Sequence, residues 1–85
     1  MKHAGAACLD VLEPLLAEIR VRPELKEKKR GVFYKKGKAW LHFHEDPAGL
    51  FADLRGPSDW LRFRVSEPAE QKTLTAAIEE ALRTP

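Results

Sequence analysis

Residues 31–65 read GVFYKKGKAWLHFHEDPAGLFADLRGPSDWLRFRV and contain four short runs in which apolar residues recur at alternate positions. Each run has the length of a β-strand, in which successive side chains point to opposite faces of the sheet. Three turn-like segments separate the runs: residues 36–37 (Lys-Gly), 45–48 (Glu-Asp-Pro-Ala) and 56–59 (Gly-Pro-Ser-Asp). Because strands joined by tight turns pair with each other, this stretch predicts a four-stranded antiparallel meander.

The turn lengths predict which residues face each other across neighbouring strands. The predicted pairs are Val32–Leu41, Phe33–Trp40 and Tyr34–Ala39 in the first hairpin; Ala39–Leu54, Trp40–Asp53, Leu41–Ala52, His42–Phe51 and Phe43–Leu50 in the second; and Leu50–Val65, Phe51–Arg64, Ala52–Phe63, Asp53–Arg62 and Leu54–Leu61 in the third. A slip of one residue in any hairpin would move every later side chain to the other face.

This register divides the sheet into two faces of different character. The first face is apolar and consists of Val32, Tyr34, Ala39, Leu41, Phe43, Leu50, Ala52, Leu54, Leu61, Phe63 and Val65. The second face mixes aromatic and charged residues and consists of Phe33, Trp40, His42, His44, Phe51, Asp53, Trp60, Arg62 and Arg64. Three separate turns agree on this division, and such consistency supports the register.

The flanking segments supply two amphipathic helices to cover the apolar face. Leu9, Leu12, Leu16 and Ile19 form one apolar stripe, and Leu74, Ile78 and Leu82 form another. Pro68 suits the first position of the second helix. In the first helix, Asp10 and Glu13 have the spacing of a capping box, and Pro14 predicts a late start or a kink. The predicted fold is therefore α+β, with N- and C-terminal helices packed on one face of the meander; the other face is called the open face below.

The composition predicts a single domain over residues 1–85. Hydrophobic residues make up 44% and charged residues 33% of the chain, as in ordinary folded proteins. The longest apolar runs are too short to span a bilayer, so no membrane association is expected. The single cysteine, Cys8, cannot form an internal disulfide, which suits the reducing cytoplasm. No motif predicts a cofactor.

The charge of the chain is unevenly distributed. Residues 20–38 contain nine Lys or Arg against two Glu, a local charge of +7, whereas the whole chain carries +2. Such a segment is an electrostatic footprint for nucleic acid, through Lys26, Lys28, Lys29, Arg30, Lys35, Lys36 and Lys38. The alternative is a solvated connector over residues 22–30, or an extra edge strand whose lysines prevent aggregation.

His42 and His44 point the same way on a strand and could share a metal ion. A zinc site needs three or four protein ligands, and the register places Phe51 opposite His42, so structural histidines are the competing interpretation. Ser58, Ser66 and Cys8 lack an activating pattern. The sequence therefore predicts no catalytic residue and no enzyme, with a minor metal-dependent activity at the two histidines as an alternative.

The open face is the principal candidate for function. Aromatic residues combined with arginine are typical of binding hot spots. The predicted binding residues are Phe33, Trp40, His42, Phe51, Asp53, Trp60, Arg62 and Arg64. The partner expected there is an unknown protein, a second copy of the chain in a homodimer, or a small ligand.

The run GVFYKKGKAWLHFHEDPAGLFADLR resembles a family of small bacterial proteins built around a phrase similar to GKAFLHFHEDPAGLFADLR, over residues 30–65. This resemblance implies no activity. More distantly, the GKAW strand and the terminal helix resemble the MmcQ/YjbR-like proteins. That second resemblance implies a frataxin-like fold and a DNA-binding role.

Overall fold

The computed structural model describes residues 1–83 and confirms an α+β fold with an antiparallel sheet and two helices. Helix α1 spans Ala6–Arg20 and helix α2 spans Pro68–Arg83. The strands are β1 (Lys2–His3), β2 (Lys26–Lys29), β3 (Val32–Lys35), β4 (Lys38–Asp46), β5 (Gly49–Arg55) and β6 (Trp60–Arg64). The sheet runs in the order β2-β3-β4-β5-β6, with β1 paired to β4. The expected four strands are β3 to β6, so the strand count was wrong: β1 and β2 bring it to six.

The hairpin β3–β4 begins as predicted and then departs from the prediction. Lys36 and Gly37 both have positive φ, 52° and 79°, as a two-residue hairpin turn requires. Lys35 faces Lys38 and Tyr34 faces Ala39, but Phe33 faces Leu41. Trp40 is therefore an extra residue on β4, in the manner of a β-bulge.

The bulge reverses the faces predicted for three residues. Phe33 and Trp40 were assigned to the open face, but they are buried, with 1% and 6% of their surface exposed. Val32 was assigned to the apolar face but pairs with His42. The three reversals have one cause. The extra residue shifts the pairing of β3 with β4 by one position, and a shift of one position turns side chains to the opposite face.

The hairpin β4–β5 differs from the predicted register by two residues. Its loop is the two residues Pro47-Ala48, since Asp46 pairs with Gly49, and Leu41 faces Leu54 where Ala52 was expected. A shift of two residues leaves each side chain on its predicted face. The predicted loop length was thus wrong, while the division into faces was right along β5 and along β4 from Leu41 onward.

The hairpin β5–β6 has the predicted register. Asp53 faces Arg62, Ala52 faces Phe63 and Leu54 faces Leu61. The expected full burial of Phe63 was wrong, because Phe63 is half-buried and Leu61 is 47% exposed. Both residues lie on β6, which forms the outer edge of the sheet and has no strand beyond it.

Helix α1 begins at Ala6 and continues through Pro14. The predicted capping box was wrong, because Asp10 and Glu13 lie inside the helix, where their carboxylates accept hydrogen bonds from Arg30 at 2.8 Å each. Helix α2 begins at Pro68 as predicted. The open question about residues 22–30 is also answered, since this segment contains edge strand β2.

The hydrophobic core is one cluster formed by both helices and one face of the sheet. Its sheet residues are Phe33, Trp40, Leu41, Phe43, Ala52, Leu54 and Val65. Its helix residues are Leu9, Leu12, Leu15, Leu16, Ile19, Leu74 and Ile78. The register leaves Val32, His42, His44, Phe51, Asp53, Trp60, Arg62 and Arg64 on the open face.

Candidate metal centre

Three histidines meet on the open face. His42 and His44 occupy alternate positions of β4, and His3 of β1 lies directly opposite His44. His42 Nδ1 lies 2.9 Å from His44 Nε2, and the His3 ring centroid lies 4.9 Å from that of His44. One ring nitrogen from each histidine falls within 4.8 Å of the other two. These are all the histidines of the chain.

Contacts along β4 hold the N-terminal segment, and with it His3, in place. The backbone N–H of Gly5 donates to Glu45 Oε2 at 2.7 Å, and that of Ala4 donates to the Phe43 carbonyl at 3.1 Å. Glu45 also forms an ion pair with Lys2 at 3.5 Å. His3 therefore belongs to the sheet, where hydrogen bonds on the β4 side restrict its position.

The spacing of the three imidazoles suits a transition-metal ion. A zinc–nitrogen bond of about 2.0–2.1 Å places neighbouring ligands of a tetrahedral site roughly 3.3 Å apart. One nitrogen from each histidine lies within 4.8 Å of the other two, a range that includes this separation. His3 is exposed while His42 and His44 are half-buried, so an ion could enter from solvent. The three side chains can supply three ligands and leave a fourth position open.

Asp53 lies beside this cluster and is held in place from the other side. Its Oδ2 is 3.0 Å from His44 Nε2, and its two oxygens accept hydrogen bonds from Arg62 at 2.8 and 2.9 Å. Arg62 thereby lowers the pKa of the Asp53 carboxyl, although burial opposes this effect. A carboxylate in contact with a ligand histidine orients the ring and raises its basicity. Asp53 contacts His44 Nε2, so it can accept the Nε2–H in this way if His44 binds a metal ion through Nδ1. If Nε2 is the ligand instead, Asp53 can supply a further oxygen ligand.

The surroundings of His42 favour its neutral form. Burial lowers the pKa of His42, and the nearby His44 adds to this effect. Neutral imidazole is the form that binds metal ions. The Trp60 ring packs edge-on against His42 with centroids 4.8 Å apart, and Arg55 lies over the Trp60 ring at 4.6 Å. An aromatic wall thus shields one side of the histidine cluster.

Most of the predicted open-face residues lie together around this cluster. His42, Phe51, Asp53, Trp60, Arg62 and Arg64 share the open face, as predicted. Phe33 and Trp40 belong to the core and are removed from the candidate surface. His3 was missed, because a two-residue strand is too short for a periodic pattern. The one available signal was that the chain contains a third histidine.

The arginines and the lysines of the predicted basic segment differ in their ion pairs. The arginines form ion pairs with acidic side chains: Arg20 with Glu13 and Glu27, Arg22 with Glu79, and Arg30 with Asp10 and Glu13. The lysines behave differently. Within residues 1–83, no ion pair involves Lys26, Lys28, Lys29, Lys35, Lys36 or Lys38. Lys28 lies over the Tyr34 ring at 4.7 Å.

The side chains considered as nucleophiles have structural contacts. Ser66 Oγ accepts the backbone N–H of Leu50 at 2.9 Å, which closes the end of the β5–β6 pair. A hydrogen bond with Glu45 raises the pKa of the Cys8 thiol, and burial adds to this. A raised pKa disfavours the reactive thiolate. Neither residue has the environment of an activated nucleophile.

No family model, curated protein or solved structure matches this chain. The resemblances drawn from the GKAWLHFHEDPAGLFADLR run and from the GKAW strand therefore remain predictions. None of the helices described over residues 1–83 is both long and apolar enough to cross a membrane.

Proposed function

We propose that this domain is a non-enzymatic binding module whose ligand is a divalent transition-metal ion held by His3, His42 and His44. The observation that carries the proposal is the convergence of the chain's three histidines, one of them distant in sequence, on one point of the open face. Imidazole is a ligand for zinc, copper, nickel and cobalt, whereas magnesium and calcium prefer oxygen ligands. The expected ligand is therefore a metal of the first group.

Binding is favoured over hydrolysis by the state of Asp53. A hydrolytic zinc site combines an open coordination position with a group able to take a proton from the bound water. Asp53 is the nearest carboxylate, but Arg62 binds both of its oxygens and lowers its pKa. A carboxylate stabilised in its charged form is a weak base. We therefore assign it the role of positioning His44, whose Nε2–H it would accept while Nδ1 binds the metal ion.

The proposal is tested by titrating the purified, untagged chain with Zn²⁺, Ni²⁺, Co²⁺ and Mg²⁺ in a calorimeter. We expect one Zn²⁺ per chain and no Mg²⁺ binding. Replacing His3, His42 or His44 by Gln should each weaken Zn²⁺ binding, and Asp53→Asn should weaken it by about 10–100-fold, as removal of an orienting carboxylate does. Asp10→Asn, a change at an exposed carboxylate on α1, is the matched control and should leave the affinity unchanged.

Circular dichroism of each variant shows whether the fold is retained. The proposal is contradicted if the wild-type chain binds none of these transition metals. It is equally contradicted if Zn²⁺ binds with unchanged affinity after all three histidines are replaced.

A further inference from the structure

The two outer edges of the sheet differ in how they are protected. Edge strand β2 presents Lys26, Lys28 and Lys29, which have no ion-pair partner in residues 1–83, and its pairing with β3 is irregular between Glu27 and Lys29. Unpaired lysines and bulges are the features that prevent edge-to-edge association. Strand β2 is therefore protected against pairing with a strand of another molecule.

Edge strand β6 lacks this protection. Its sequence is Trp-Leu-Arg-Phe-Arg, and its two arginines are already paired within the chain. Arg62 binds Asp53, while Arg64 donates to Glu70 at 2.9 and 3.1 Å. Leu61 is 47% exposed and Trp60 36% exposed on this strand. The charges that would repel a second strand are neutralised, and apolar surface remains.

The hydrogen bonds of the β5–β6 pair show which backbone groups are directed outward. Gly56 donates to the Asp59 carbonyl at 2.9 Å, and Val65 donates to the Leu50 carbonyl at 2.7 Å. In an antiparallel pair the bonding positions alternate, so the residues at 59, 61, 63 and 65 bond toward β5. The N–H and C=O groups of Trp60, Arg62 and Arg64 are then directed outward, although the Trp60 N–H already donates to Asp59 Oδ1 at 2.8 Å.

We infer that β6 pairs with β6 of a second copy of this chain, antiparallel and centred on Arg62. This register uses all five residues of the strand, and in it the Trp60 N–H exchanges Asp59 Oδ1 for the carbonyl of the partner's Arg64. It places Leu61 opposite the partner's Phe63 on the helix side, so two half-exposed apolar residues cover each other. On the other side of the strand it places Trp60 opposite the partner's Arg64, whose guanidinium is held by Glu70 of its own chain.

Arg62 itself is the one residue that meets its own copy in this arrangement. Like charges directly opposite each other destabilise a strand pair. Here each guanidinium is bound through two hydrogen bonds to Asp53 of its own chain, so each approaches as a neutral pair. The self-complementary strand therefore fits a second copy, and the small contact area places the dimer among weak, concentration-dependent ones.

Sedimentation equilibrium of the full chain tests this inference, with EDTA present so that metal bridging cannot contribute. Over a range from about 10 µM to about 1 mM, which covers weak interfaces, we expect a monomer–dimer equilibrium. Leu61→Lys should raise the dissociation constant at least about tenfold, because it sets a charge against the partner's Phe63. Val11→Lys, at a 67% exposed position on α1, is the matched control and should leave it unchanged.

A second measurement does not depend on any variant folding. In a dimer mixed from labelled and unlabelled chains, isotope-filtered NMR should detect a contact between Leu61 Hα and the partner's Phe63 Hα, because non-hydrogen-bonded strand pairs bring their Cα atoms to about 4.5 Å. The inference is overturned by a chain that stays monomeric at the highest concentration. It is also overturned by a dimer that is equally stable after Leu61→Lys or that lacks this contact.

Discussion

Replacing Trp40 by Ala should unfold much of the domain, because the β4 bulge turns its indole into the core. The side chain is 6% exposed, packs in the core cluster and has the Lys35 ammonium 6.0 Å from its ring centre. Removing a buried Trp side chain costs about 3–5 kcal/mol. Small domains are stable by roughly 5–15 kcal/mol in total, so a large share of the stability is lost.

Urea unfolding followed by far-ultraviolet circular dichroism measures this loss without relying on tryptophan fluorescence. With a urea dependence of roughly 1–1.5 kcal/mol per molar for a chain of this size, the midpoint should fall by about 2–5 M. Trp60→Ala is the matched comparison, since the same side chain is removed from a 36% exposed position. That change should cost less than about 1 kcal/mol, as is usual at surface sites.

The comparison of the two tryptophans decides between the observed bulge and the register predicted from sequence. Under the sequence register, Trp40 would lie on the open face, and its removal would disturb binding more than folding. A midpoint for Trp40→Ala equal to or higher than that of Trp60→Ala would refute the bulge and the burial argument together.

Three further outcomes follow from other parts of the structure. Leu41→Ala should lower the free energy of unfolding by about 2–5 kcal/mol, because Leu41 is fully buried. Phe63→Ala should lower it by less than the ~3–5 kcal/mol of a fully buried Phe, because Phe63 is half-buried. Equal losses in urea unfolding would contradict the edge position of β6. Arg20 and Arg30 lower the pKa of Glu13 to about 2, so its contribution to stability should be complete above about pH 4.5 and decline as the pH falls toward 2. Thermal unfolding of Glu13→Gln should show a shallower acid dependence than the wild type in that window, and identical slopes would count against these ion pairs. The unpaired lysines of β2 should bind duplex DNA without sequence preference at about 50 mM salt, and the affinity should fall steeply as salt is added. Replacing Lys26, Lys28 and Lys29 together by Gln should abolish this binding. Absence of binding by the wild type would remove nucleic acid as a ligand.

Much of the fold follows from period-two alternation, and its errors follow the same rule. The second hairpin was predicted two residues out of register, yet the side chains of β5, and those of β4 from Leu41 onward, kept their predicted faces. The first hairpin differed by one residue, and Val32 and Phe33 exchanged faces. No glycine marks the bulge at Trp40, so local sequence carries no signal for it. Burial of the Phe33 and Trp40 rings accounts for it, and burial depends on the whole fold.

The candidate site shows a similar limit. His42 and His44 can be paired from their spacing alone, whereas His3 reaches them through contacts between residues about forty positions apart, such as Gly5 with Glu45. Asp53 and Arg62 were matched correctly, because their hairpin has the predicted register. The sequence therefore predicted the Asp53–Arg62 pair and gave His42 and His44 only as an alternative metal site. The third depends on a tertiary contact that leaves no periodic pattern.

Trp60 connects the two proposed sites on the open face. Its ring packs against His42 at 4.8 Å, and its outward backbone groups belong to the edge that would pair with a second copy. In the proposed dimer, Trp60 lies opposite the partner's Arg64, so dimer formation and the surroundings of His42 share this residue. Because coupling between two binding equilibria is reciprocal, any factor by which metal strengthens association must equal the factor by which association strengthens metal binding. The proposed metal ion and the proposed second copy are therefore ligands of one surface. The affinity for metal should be measured below and above the dissociation constant of the dimer, and that dissociation constant should be measured with and without metal.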